Sequence, residues 1–187
     1  YRKLPQVELT ALCEYKDERR KELETEFPGV RLYKDYREML QDPEIEAVSI
    51  VLPDNMHREA VELAVAAKKH ILLAKELEDG KAMYELVKDY DKVFTTGFLL
   101  RFDPRFAMIK ERLDRGELGD IIHCYVRRNS PIIGPRRYIG ASDLSMHVMI
   151  HDIDYVNWWM GCQPVKVFAR NRSVLLKENG MNDVIYA

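Results

Sequence analysis

Between residues 7 and 97 the chain alternates short, almost uninterrupted apolar runs with longer amphipathic ones, and that alternation leaves few folds open. The runs from Val7 to Cys13, Val30 to Tyr33, Ala47 to Leu52, His70 to Ala74 and Val93 to Gly97 read as strands, several of them apolar throughout, as strands buried on both faces are. Helices fit between them. Asp17 to Phe27 is highly charged, with only Leu23 and Phe27 to bury, and Asp35 to Leu40 opens on an Asp35/Glu38 capping box. Glu59 to Lys68 sets Ala60, Leu63, Ala64 and Ala67 on one helical face, and Lys81 to Tyr90 does the same with Ala82, Leu86 and Tyr90. Strands alternating with helices predict an α/β domain over residues 1–97, with right-handed crossovers and a parallel sheet.

The texture changes near Gly97. Asp103 and Pro104 read as N-cap and first residue of a helix that Gly116 ends, with Phe106, Ile109 and Leu113 on its buried side. Ile121 to Arg128 reads as a strand, residues 129–142 as a Gly/Pro/Arg loop, Leu144 to Met160 as a helix, and Val165 to Leu175 as a longer strand. Helix and strand without the earlier alternation predict a second, α+β domain over residues 98–187.

Charge narrows the function. The chain of 187 residues has 29 basic and 31 acidic side chains, split as 16 and 21 in residues 1–97 and 13 and 10 in residues 98–187. No dense basic stripe marks a nucleic-acid footprint, so none is expected as a partner, while a small anionic ligand is compatible. Cys13, Cys124 and Cys162 are odd in number, widely spaced and set in apolar stretches, which points to reduced core thiols. No uncharged run approaches the ~20 residues that cross a bilayer, and no signal-peptide pattern opens the chain, so the expected location is cytoplasmic. A start at Tyr1 without an initiator Met, and a strand-like finish at Val184 to Ala187, read as the ends of a piece of a longer protein.

In an open parallel sheet, ligands bind beyond the carboxyl ends of the strands. Glu14 follows the first strand, where a carboxylate accepts from ribose hydroxyls and repels a 2′-phosphate; a solvated Glu before a charged helix is the equal alternative. Pro53, Asp54 and Asn55, with His57 close by, follow the third strand. Lys75 and Glu76 follow the fourth, placing an ammonium where it can favour a substrate alkoxide, or simply a surface lysine at a strand end.

His147, His151 and Asp154 stand at i, i+4 and i+7, one face of an α-helix. A histidine there suits a general base. The pair is also a metal-ligand spacing, but it lacks a third ligand and the Glu of an H-E-x-x-H motif, so no metal is expected. Core histidines satisfied by hydrogen bonds are the third reading. Arg127–Arg128 and Arg136–Arg137 flank the loop before this helix as a candidate bidentate clamp for a phosphate or carboxylate, or as solvated surface. Trp158–Trp159 reads as core or interface.

Three runs carry a resemblance: Val48-Ser49-Ile50-Val51-Leu52-Pro53-Asp54-Asn55-Met56-His57, Gly97-Phe98-Leu99-Leu100-Arg101-Phe102-Asp103-Pro104 and His151-Asp152-Ile153-Asp154. In this order they resemble the Gfo/Idh/MocA family of NAD(P)-dependent oxidoreductases. The resemblance implies an incomplete Rossmann-type parallel sheet followed by part of an α+β domain with an open, largely antiparallel sheet. It also implies hydride transfer between nicotinamide and a ring hydroxyl carbon of a sugar, nucleotide-sugar or cyclitol, with NAD favoured over NADP by Glu14.

Position by position, Lys75 matches the lysine of the family's E-K-P motif and His151 its catalytic histidine, with His147 beside it in the catalytic set. Pro53, Asp54, Asn55, His57, Glu76 and Arg101 fall on the cofactor side. The residues depart from the pattern in three places. Ala74-Lys75-Glu76 stands for E-K-P, His147 stands where many members have an Asp, and the family's first strand with its G-x-G-x-x-G turn is not among these residues. A non-catalytic, dehydrogenase-like sugar- or nucleotide-binding protein is the rival reading, and a homo-oligomer is expected of the full-length form.

Overall fold

The computed structural model describes residues 1, 3–74, 80–129, 131 and 145–187, without the side chains of Asp54, Met146 and His147. These fall into two compact units, one built mainly from residues 1–95 and one mainly from residues 96–187.

The first unit is α/β. Strands β1 (Ala11–Cys13) and β2 (Arg31–Tyr33) pair in parallel, Leu12 opposite Leu32. Strands β3 (Ala47–Ile50), β4 (His70–Leu73) and β5 (Phe94–Thr96) form a second sheet in that order, with β3 and β4 parallel and Ile50 opposite Leu73. Helices α1 (Asp17–Glu26), α2 (Tyr36–Gln41), α3 (His57–Ala66) and α4 (Gly80–Val87) connect them.

The core lies where Ala60, Val61 and Ala64 of α3 meet Val48 and Ile50 of β3 and Ile71 and Leu73 of β4, all buried. Small residues on the helix let its backbone approach the sheet closely, which keeps packing dense. The sequence predicted strands buried on both faces; β3 instead alternates, with Ala47 and Ser49 exposed and Val51 beyond them 74% exposed. The apolar run is thus half-used among the described residues.

Two polar groups tie the loops to this core. The buried Lys69 ammonium donates to the Asp42 carbonyl at 2.7 Å, and Tyr90 donates its hydroxyl to the Lys69 carbonyl at 2.7 Å. Asp42 in turn takes the Tyr33 hydroxyl at 2.7 Å and the Glu44 N–H at 2.9 Å and pairs with Arg31 at 2.9 Å, linking β2 to the approach to β3. A buried ammonium without such an acceptor would be costly.

In the second unit a 3-10 turn (Leu99–Phe102) leads into α5 (Pro104–Asp114), whose N-cap Asp103 accepts from Arg105 N–H at 2.9 Å with Pro104 in the first turn, as the sequence predicts. A π-helical turn (Ser145–Met149) then opens α6 (Ile150–Met160). Gly161 ends α6 at φ +64°, a left-handed conformation that glycine adopts without a Cβ penalty, and its N–H returns to the Asn157 carbonyl at 2.9 Å. Strands β6 (Arg170–Arg172) and β7 (Val184–Tyr186) form an antiparallel pair. Asp183 closes their connection by accepting the N–H groups of Val174, Leu175 and Leu176.

The predicted strand from Ile121 to Arg128 forms no ladder among the described residues, and the one from Val165 to Leu175 shrinks to three residues. Alternating side chains set an extended backbone, but a strand exists only where a neighbour accepts its hydrogen bonds. Ile122 stands 91% exposed.

Candidate functional site

Glu14 stands immediately beyond the carboxyl end of β1. Its N–H donates to the Tyr33 carbonyl at 3.0 Å, which carries the β1–β2 pairing one residue further. Its Oε1 accepts from Lys16 N–H at 2.9 Å, and its carbonyl accepts from Arg20 Nη1 at 3.0 Å. These contacts fix the carboxylate at the strand edge ahead of α1. Next to it, burial pushes the Cys13 thiol up to about 11, with Asp35 and Glu14 adding to the rise, so this cysteine stays a neutral thiol.

Beyond β3, Pro53 and Asn55 are exposed, and Asp54 lies in a 3-10 turn (Asp54–Met56). His57 is different: it is buried at the start of α3, and its Nε2–H donates to the Leu52 carbonyl at 2.8 Å. The family resemblance set it with the cofactor-side residues; the structure gives this nitrogen the work of holding the strand-end loop. Lys75 and Glu76 lie outside the described residues, as do Arg136 and Arg137.

The second unit carries His151 in the first turn of α6, half-buried. His147 belongs to the π-helical turn before it, so the α-helical spacing that would put the two histidines and Asp154 on one face does not run through residue 147. Asp154 is buried and engaged. Arg101 grips it with Nε to Oδ2 at 2.9 Å and Nη2 to Oδ1 at 2.5 Å, while its guanidinium lies 5.6 Å from the Phe98 ring centre and 5.8 Å from that of Trp158. The Arg101 guanidinium, which the family resemblance set on the cofactor side, is therefore committed to a carboxylate of its own unit, and that bond raises its pKa.

A second pair forms from residues the sequence only half revealed. Arg128 holds Asp152 through Nε at 3.0 and 2.8 Å and Nη2 at 2.7 Å, and the bond likewise raises the pKa of this guanidinium. Of the arginines read as a candidate ligand clamp or as solvated surface, Arg128 thus spends its fork on a carboxylate of the protein itself, while Arg127 donates to Asn129 Oδ1 at 3.4 Å. The signal was present: Asp152 and Asp154 alternate with Ile150, Ile153 and Tyr155 on a helix that must bury one side, and a carboxylate carried inward needs a cationic partner. Phe106, Tyr155 and Trp159 pack beside them, with ring centres 4.7–5.5 Å apart. Burial, with Asp152 and Cys124 adding to it, pushes the Tyr155 hydroxyl up to about 12. Among the described residues no cluster of three His, Cys, Asp or Glu side chains is placed to hold a metal, and no helix is long and apolar enough to cross a membrane.

Comparison with known proteins defines the class first. Residues 1–98 match the family described as oxidoreductases with an NAD-binding Rossmann fold. Residues 106–187 match the GFO/IDH/MocA C-terminal domain, and the chain belongs to the Gfo/Idh/MocA family of oxidoreductases. A myo-inositol 2-dehydrogenase of Thermotoga maritima is 32% identical over 175 residues, covering 91% of this chain and 52% of that protein. A levoglucosan dehydrogenase of Pseudarthrobacter phenanthrenivorans is 33% identical over 140 residues, covering 68% of this chain and 36% of that protein. Among solved structures, a myo-inositol 2-dehydrogenase from Lactobacillus plantarum shares the fold, with a TM-score of 0.85 at 24% identity over 98% of this chain and 58% of that one. The chain spans about half the length of the first curated relatives it matches.

Proposed function

We propose that this chain supplies the ribose-binding edge and the proton-transfer centre of an NAD-dependent dehydrogenase acting on a ring CH–OH of a sugar, nucleotide-sugar or cyclitol. Residues 1–97 serve the cofactor and residues 98–187 the substrate. The observation that carries the reading is that both halves of the chain match, in order, the two domains of one oxidoreductase family.

The residues fit NAD at its adenosine end. Glu14 is fixed at the edge of a parallel strand, suited to two ribose hydroxyls and unsuited to a 2′-phosphate. The 187 residues contain no G-x-G-x-x-G turn, so no contact with the pyrophosphate is assigned to them. Bound NAD would supply the hydride acceptor for oxidation of the substrate's CH–OH carbon. His151 takes the hydroxyl proton as the C–O bond becomes a carbonyl, and Lys75 holds the oxygen as negative charge develops on it. His147 contributes to the same substrate side.

The test is NADH formation by the full-length protein at saturating NAD with myo-inositol, scyllo-inositol, glucose and levoglucosan. His151→Ala lowers kcat by ~10² or more if the imidazole is the base, and unchanged turnover removes that role. NADH binding without turnover on any of these substrates would establish the non-catalytic reading instead.

A further inference from the structure

Asp152 and Asp154 bracket His151 on α6, and each is held by a guanidinium from a different part of the second unit. At about 100° of rotation per residue, Asp152 lies about 100° to one side of His151 around the helix axis and Asp154 about 60° to the other. Arg101 reaches Asp154 from the 3-10 turn ahead of α5, and Arg128 reaches Asp152 from the extended segment after it. Both carboxylates are buried at 8% exposure, and both contacts use two nitrogens of the guanidinium. A planar fork on a carboxylate fixes orientation as well as distance, which an ammonium does not.

We propose that Arg101 and Arg128 are positioning residues: two bidentate guanidinium–carboxylate pairs clamp α6 on either side of His151 and so set where its imidazole points. The packing of Tyr155 and Trp159 against Phe106 holds α6 on α5, and one ion pair adds a directional contact on a single flank of His151. Two pairs on opposite flanks oppose rotation in both senses just where the helix changes from the wider π-helical turn to α-helical winding before Ile150. Arg101 thereby belongs to the substrate-side helix rather than to the cofactor. The functional consequence rests on the proposed role of His151; the clamp itself does not.

The test compares Arg101→Lys and Arg128→Lys with Arg112→Lys, an exposed arginine of α5 outside both pairs. Lysine keeps the charge that compensates each buried carboxylate but not the fork. The melting transition should survive in all three. The ring Cε1–H resonance of His151 should shift in the first two variants, and amide exchange across Ile150–Met160 should accelerate by about tenfold, the loss of one charge-assisted hydrogen bond. In Arg128→Ala, millimolar guanidinium should return the resonance towards its original position while potassium chloride does not.

An unmoved His151 resonance in both lysine variants overturns the clamp, as does an equal shift in Arg112→Lys. A loss of NADH affinity in Arg101→Lys with His151 unmoved reassigns Arg101 to the cofactor. None of these readouts needs turnover, so the clamp and the base are judged separately: His151→Ala kinetics decide the second alone.

Discussion

Replacing Arg101 by Met should destabilise the second unit by more than any surface ion pair, and replacing Asp154 as well should recover about half of the loss. Arg101→Met leaves the Asp154 carboxylate, 8% exposed, without the two donors that now satisfy it at 2.9 and 2.5 Å. An uncompensated charge in a fully buried pair costs about 3–5 kcal/mol. The Arg101 side chain is 41% exposed, so water reaches the vacated position and the loss falls to about 2 kcal/mol. Asp154→Leu should cost about 1 kcal/mol, since the stranded guanidinium turns to solvent. The double variant loses the pair without stranding a charge and should also sit within about 1 kcal/mol of the starting protein, a coupling of about 2 kcal/mol. Trp158 and Trp159 are the only tryptophans, and both lie on α6, so their emission in a urea titration reports this unit directly. With a slope near ~1.5 kcal/mol/M, Arg101→Met moves the midpoint down by about 1 M. Single-variant losses that simply add, to within about 0.5 kcal/mol, would refute the argument.

Two further outcomes follow from local geometry. Lys68 holds φ +57° after α3, a left-handed conformation that costs a side chain about 1 kcal/mol, so Lys68→Gly should raise Tm by a few degrees despite losing the exposed contact with Asp91, whereas Lys68→Ala should not. The Arg105 side chain and N–H hold the Asp103 carboxyl down at about 2, so its contribution to α5 is complete above the ordinary carboxylate value and is lost as pH falls from about 4 to about 2. The Arg105 amide resonance should therefore titrate near 2, and Asp103→Asn should keep the cap while abolishing that titration; a midpoint near 4 would contradict the assignment.

Much of the first unit is legible in the amino-acid sequence. Asp35 caps α2, and the apolar runs at residues 47–50 and 70–73 pair in parallel, because caps and buried runs are written within a few residues of one another. Asp103 with Pro104 announces α5 in the same local way. The run from Ile121 to Arg128 shows the limit: its pattern is that of a strand, yet pairing depends on a partner that its own residues do not name.

The same division runs through the candidate site. The order of residues settles which chemical groups are present and on which elements they ride: an acidic residue after the first parallel strand, a histidine at the head of a helix, a lysine after the fourth strand. It also carries the family resemblance that the comparisons bear out. What those groups do for one another is set by three-dimensional packing. Arg101 and Asp154 are 53 residues apart and Arg128 and Asp152 are 24 apart, and no periodicity connects them. His57 likewise shows its loop-holding bond only when the strand end folds back over it. Helical faces and caps follow from spacing along the chain, whereas an ion pair follows from the rule that a buried charge must be compensated, and which distant residue answers is settled only when the chain has packed.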